Sequence, residues 1–301
     1  MSHKSKTTLL GVVSLLLFSF ISSAQTPVSG FYPKKNDFTV ASSYTYKSYD
    51  QFYRGTELTE SAPANMGEIS SSIASIYGEY GIVDWLSTTV TIPYISTQNS
   101  EEVLDPIQGV DQADGIQDLS LFFKAHAFSK TFENSSKLSF GGATGITFPV
   151  GDYNESGILS LGNRATAIDG CGIIQFSTPI NIFTEAQVGY SIRENSDFEI
   201  PNAMLYSVKL GYYNDWIYAH AKLGIQDSTS GYDIATPEFV ANGGPLGLPQ
   251  TEVDYTNLYF DVYTPVYKKE VGVSAGYGVN LNGRNYNQES SFTVGLVYKA
   301  N

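Results

Sequence analysis

The chain carries one cysteine among its 301 residues, Cys171, so no internal disulfide can form. It also lies far from the N-terminus, where a lipid-anchoring cysteine would have to sit. Basic residues are scarce, with 17 Lys and Arg against 30 Asp and Glu and a formal charge of −13. That balance speaks against a nucleic-acid partner, whose phosphates call for clustered cations. There are three histidines, none at a metal-ligand spacing from another, so no metal and no cofactor is expected. Beyond residue 21 no apolar run approaches the roughly 20 residues of a membrane helix. If the mature chain crosses a membrane, it does so with strands.

What is present fits that route. There are 22 tyrosines, 17 phenylalanines and 28 glycines. Membrane barrels use aromatics as girdles at both interfaces, and glycine where strands bend or pack closely. From residue 37 the sequence reads as about twelve short segments of alternating apolar and polar residues. The connections between them alternate in length. Long ones fall near 50–68, 98–114, 151–164, 193–201, 227–254 and 283–289. Short ones fall at Gly81-Ile82-Val83-Asp84, Asn134-Ser135, Thr178-Pro179, Asn214-Asp215 and Lys268-Lys269. Outer-membrane barrels make tight turns on the periplasmic side and long loops outside, whereas a soluble sandwich has no reason to alternate.

The N-terminus gives an address. Lys4 and Lys6 precede an apolar run from Leu9 to Ile21, and Ser22-Ser23-Ala24 offers small residues for cleavage. The expected organisation is a removable signal peptide over 1–24, a short periplasmic N-terminal segment over 25–36, and one barrel over 37–301. The fold class is all-β, a transmembrane antiparallel β-barrel of about 12 strands in the outer membrane of a Gram-negative cell.

Alternation assigns the faces. Over 217–226, Ile217, Ala219, Ala221, Leu223 and Ile225 oppose Tyr218, His220, Lys222, Gly224 and Gln226. The first set belongs to lipid and the second to the lumen. Over 119–128, Leu119, Leu121, Phe123, Ala125 and Ala127 oppose Ser120, Phe122, Lys124, His126 and Phe128. This sorting turns a defined set of ionisable residues inward. Lys47, Lys124, Lys209 and Lys222 face Glu79, Asp169, Glu185 and Asp261, with His126 and His220 nearby. A charge facing lipid near the midplane would cost roughly 2–4 kcal/mol, so the lumen is their low-energy place. Two readings of the set stay open. The charges pair and hold a narrow interior closed, or they line an aqueous path and tune its selectivity.

Three motifs carry a resemblance. The run Glu79-Tyr80-Gly81-Ile82-Val83-Asp84-Trp85-Leu86 into Val90-Thr91-Ile92-Pro93-Tyr94 resembles a hairpin of the putative MetA-pathway of phenol degradation family. Asp114-Gly115-Ile116-Gln117-Asp118-Leu119 is similar to that family's glycine-x-glycine-aspartate strand entry, with Gln117 in place of the second glycine. Thr147-Phe148-Pro149-Val150-Gly151-Asp152-Tyr153 is similar to its proline-x-glycine-aspartate strand exit. The resemblance implies an outer-membrane barrel distantly similar to channels for long-chain fatty acids and aromatic hydrocarbons, transporting small and often hydrophobic molecules. In physical terms Asp118 and Asp152 suit turns and bulges at strand ends rather than a ligand.

The function expected is passive or facilitated passage of small, hydrophobic or aromatic solutes, with no enzymatic step. The expected partners are outer-membrane lipids, small-molecule solutes and, during biogenesis, the barrel-insertion machinery. The chain's last residues, Tyr298-Lys299-Ala300-Asn301, lack the terminal aromatic that this machinery commonly reads. The alternative is a non-conducting structural or surface-interaction barrel. A lipid hydrolase is a more remote one, since neither His126 nor His220 has a serine as same-face neighbour along its strand. Only cross-strand assembly with Ser120, Ser191 or Ser207 would supply one. The acidic loops, with Glu101, Glu102, Asp105, Asp111 and Asp114 in one and Asp227, Asp233, Glu238, Glu252 and Asp254 in the other, read as solvated faces, with divalent-cation binding as the alternative. The apolar stretch 239–249 either folds inward as a gate or packs over the rim.

Overall fold

The structure, a computed structural model, describes residues 28–300. The expected signal peptide lies outside the described residues. In chain order the strands are β1 (Phe38–Tyr49), β2 (Tyr53–Arg54), β3 (Glu57–Leu58), β4 (Ile69–Val83), β5 (Leu86–Asn99), β6 (Gln112–Ile116), β7 (Asp118–Thr131) and β8 (Lys137–Pro149). They continue with β9 (Thr166–Ser177), β10 (Ile182–Glu194), β11 (Ala203–Tyr213), β12 (Tyr218–Ser228), β13 (Asp254–Tyr267), β14 (Val271–Arg284) and β15 (Ser290–Ala300). The one α-helix among the described residues is α1 (Pro237–Ala241), capped by the Thr236 hydroxyl and followed by a 3-10 segment, Gly244–Gln250.

Each long strand pairs with its sequence neighbours, and β1 pairs with both β4 and β15, from Phe38↔Ala300 to Ser48↔Ser290. The sheet therefore closes into an antiparallel barrel of 12 staves. Closure removes the exposed sheet edge that a bilayer would leave without hydrogen-bond partners. β6 and β7 form one stave between them. Both pair with β5, and the ladder is interrupted between Tyr94↔Ile116 and Thr91↔Ser120, beside Pro93, which has no amide to donate. The hairpin β2–β3 stands apart in the first long loop.

The connections alternate as the sequence does. Lys268 and Lys269 both take positive φ, 49° and 63°, the requirement of a two-residue hairpin turn matched to strand twist. Outward side chains are apolar and exposed, as with Val208, Leu210, Leu296 and Phe260. The interior is polar and largely filled, with Thr45, Lys124, Glu185, Gln187, Asn257 and Asn280 all buried. Two apolar clusters lie beneath the long loops. Tyr49, Ala62, Met66, Ile69 and Leu159 form one cluster, and Ile95, Tyr153 and Leu161 another.

Candidate functional site

The chain enters the lumen before it enters the wall. Asn36 takes a positive φ of 71°, and its amide donates to the Gly81 carbonyl at 2.7 Å. Gly81 permits this turn, since a Cβ there would lie 1.9 Å from the Lys34 carbonyl oxygen. Residues 28–36, expected as a short periplasmic segment, pass from that turn into the barrel from the short-turn end.

Inward residues of six staves meet at this seat. Gly30 N donates to Glu185 Oε2 at 2.8 Å. Gln187 Nε2 donates to the Val28 carbonyl at 3.1 Å, and Lys124 Nζ to the Phe31 carbonyl at 2.6 Å. Val28 packs against Phe122, Ala143 and Ile173. Phe31 lies edge-on to Phe183, Tyr213 and Tyr218, and Tyr32 to His126. All of these bonds are non-covalent, and their partners come from β7–β12.

Of the candidate residues, Lys124 and Glu185 bond the segment directly, and the His126 ring meets that of Tyr32. Lys124 pairs with Glu79 at 2.8 Å, and Lys209 with Glu185 at 2.7 Å. His220 Nε2 lies 3.5 Å from Asp261, and the Lys222 ammonium lies 5.9 Å from the Tyr259 ring centre. Asp169 stands opposite Ser191 in the register of β9 and β10. Lys47 joins none of these. It sits toward the outer mouth and pairs at 3.0 Å with Glu289, a partner that sequence reasoning missed because Glu289 lies just before β15, outside any alternating run. On the side away from the segment, Asp261, Tyr263, Ser274, Val297, Lys299 and Thr39 stay half-buried.

One face assignment is corrected. A bulge between His126 and Phe128 in the β7–β8 register makes Ala127 an extra residue. Phe128 therefore points outward, 53% exposed, and stacks on Phe140. Ser129 takes the inward place, and its Oγ lies 2.7 Å from His126 Nε2. His126 thus does have a same-face serine, contrary to simple alternation. The hydroxyl beyond it belongs to Ser139 at 3.1 Å, and no carboxylate orients the histidine in any bond among the described residues.

Long loops pack at the outer mouth. The loop that folds inward is 150–165. Its Tyr153 and Leu161 pack on Ile95, and the Tyr153 hydroxyl donates to Asp118. Burial, then that carboxylate, holds the Tyr153 phenol well above its ordinary pKa. Asp105, expected on a solvated acidic face, is 1% exposed and accepts the amides of Ile107, Gln108 and Leu159 at 2.8–3.0 Å. The stretch 239–249 packs over the rim instead. Phe239 is buried beside Tyr232, and the Leu246 carbonyl accepts from Ser156 Oγ at 3.1 Å. Arg284 then pins this lid with a fork to Asp233, at 2.7 and 2.9 Å, and a bond to Glu252 at 2.5 Å. The Arg284 bond holds Asp233 below the ordinary carboxylate range, while burial pushes Glu252 up.

The family model described as putative MetA-pathway of phenol degradation matches residues 70–296, and the chain belongs to that family. An outer membrane channel from Pseudomonas putida superposes with a TM-score of 0.68 at 15% identity, covering 91% of this chain and 99% of that one. The translocator domain of the autotransporter NalP from Neisseria meningitidis gives a TM-score of 0.44 at 12% identity, over 88% of this chain and 89% of that one. A mutant of the TodX monoaromatic hydrocarbon channel gives 0.39 at 8% identity, over 89% and 91%. No curated protein matches the sequence.

Proposed function

We propose that this family member is an outer-membrane channel for passive or facilitated passage of small, hydrophobic or aromatic molecules, working by binding and diffusion without a covalent step. The fold supports this, since the P. putida barrel that shares it is itself described as an outer membrane channel. The observation that carries the reading is the seat of residues 28–32. A lumen that needed only to be filled would be filled by side chains of its own staves. Here a tethered peptide occupies it through hydrogen bonds and ring contacts that can be exchanged for others.

The test is conductance of the refolded mature chain in planar bilayers, beside a variant lacking residues 25–32. The full chain is expected to give small or brief steps and the shortened one large, steady steps. Silence from both, with folding verified, would sink the channel. A non-conducting structural barrel would then stand, its interior held by the Lys124–Glu79 and Lys209–Glu185 pairs.

A further inference from the structure

Phe31, seen as a chemical fragment, is an arylalkyl carbonyl compound tethered to the barrel. Its ring sits among Phe183, Tyr213 and Tyr218, with centroids 5.0, 5.5 and 5.8 Å away and interplanar angles of 79°, 81° and 79°. Its carbonyl oxygen accepts from Lys124 Nζ at 2.6 Å. The cage is built rather than incidental. Phe183 is fully buried, and it has room only because residue 211 is glycine, where a Cβ would meet the Phe183 ring at 2.5 Å.

We propose that this seat is a binding site for neutral, single-ring arylalkyl carbonyl compounds, and that Phe31 is its resident internal ligand, displaced when such a solute arrives. Three features fix the chemical class. Edge-on contacts from three rings depend on an aromatic quadrupole, which a saturated ring of the same size lacks. The Lys124 ammonium, deprived of the Phe31 carbonyl, would need an oxygen acceptor in its place, because an unpaired buried donor is costly. And Lys124 is already neutralised by Glu79 at 2.8 Å, so a carboxylate solute would meet that second negative charge, whereas an amide or ketone would not.

Displacement follows from occupancy. Phe31 and the solute cannot share the cage, so the solute binds only the state in which the segment has left it, and raising its concentration draws the population that way. The resident is incompletely held, since the buried Tyr32 hydroxyl next to it has no hydrogen-bond partner among the described residues. The inference rests on the channel reading for its purpose, though not for its test.

That test is hydrogen exchange of the mature full-length chain in phospholipid nanodiscs, with 3-phenylpropanamide as probe. Exchange of the peptide covering 28–36, where the Gly30 amide is bonded to Glu185, should speed up about tenfold, the usual scale of coupling between two binding events. The saturated analogue 3-cyclohexylpropanamide should leave it unchanged. In Phe31→Ala the cage is vacant, and the same amide should give a saturation-transfer NMR signal that a further Tyr218→Ala abolishes. Unchanged exchange of 28–36 at saturating amide, together with no signal from Phe31→Ala while strand peptides stay protected, would overturn the site. Equal response to the two analogues would overturn the ring selectivity and with it the proposal. Conductance on the same preparation separates the two ideas: conduction without displacement sinks only this site, and displacement without conduction leaves the site and sinks the channel.

Discussion

The amide of Gly30 donates to Oε2 of Glu185 at 2.8 Å across 155 positions of sequence, fastening the N-terminal segment to the wall at β10. A Cβ on residue 30 would lie 2.8 Å from that oxygen and 3.0 Å from Gln175 Nε2. Gly30→Val is therefore expected to weaken the seat by roughly 1–3 kcal/mol, the usual cost of overpacking, while leaving the wall intact. Limited proteolysis checks it. The variant should be cut within 28–36 while the barrel keeps its heat-modifiable mobility, and protection equal to the parent would contradict the assignment.

Glu185 and Lys209 should behave as a unit. Both are buried, at 2.7 Å, and removing one partner of such a pair costs on the order of 3–5 kcal/mol because the other charge is left behind. Lys209→Met should lower the midpoint of heat-modifiable unfolding strongly, and Glu185→Gln with Lys209→Met should recover most of the loss. A double variant no better than the single would show that packing, not charge, sets the cost.

Ion selectivity should follow exposure rather than charge count. The Asp261 side chain is 37% exposed, and that of Lys124 is 1% exposed. Asp261→Asn is expected to move the reversal potential in a KCl gradient toward anions. Lys124→Met should mainly raise conductance by loosening the hold on Phe31. Matching shifts from both would place the open path elsewhere.

The lid over the outer mouth should tolerate mild acid. Asp233 is held below the ordinary carboxylate range by Arg284, so its stabilisation is fully present above the unfolded value of about 3.9 and disappears as pH falls through its lowered native value. Glu252, raised by burial, has the opposite sign and favours the docked loop as it protonates. Exchange of residues 229–253 should therefore be flat from neutral pH to about pH 5, after correction for intrinsic rates, and rise below the unfolded Asp value. Arg284→Ala should open the loop at neutral pH. Release of the parent loop between pH 7 and 5 would refute the Asp233 assignment.

Deleting Ala127 should be tolerated. It is the extra residue of the β7 bulge, so its loss restores regular pairing and leaves His126 and Ser129 inward and Phe128 outward. Deleting Phe123, by contrast, inverts one end of the stave. Refolding yields of the two deletions, scored by heat-modifiable mobility, give the comparison, and equal loss in both would speak against the bulge.

Faces of the staves were legible because lipid imposes one rule along the whole wall. Lys209, His220 and Asp261 could be placed inward by counting in twos. Counting failed at Phe128, where one added residue resets the phase without any glycine or proline to announce it. The seat of Phe31 was illegible for a different reason. Residues 28–36 carry no period, and what draws them into the lumen is a set of partners from 79 to 218 that only closure of the sheet brings together. Likewise the inward fold of Tyr153 and Leu161 depends on Ile95 of β5, a strand distant in sequence that β7 separates from β8 in the sheet. The loop's own composition points the other way, since 150–165 carries Asp152, Glu155 and Arg164 while 239–249 carries no charge.

The pairing of β1 with β15 makes the order of assembly a matter of chain length. Phe38 and Ala300 are nearly the whole described chain apart, so joining them carries the largest loop-closure entropy in the molecule and belongs to the slow end of folding. Residues 28–36 emerge before every stave in synthesis, yet Lys124, Glu185 and Tyr218 form a single seat only when the cylinder is complete. Protection of the Gly30 amide is thus a late event, and in a refolding time course it would serve as a clock for the moment the last seam is sewn.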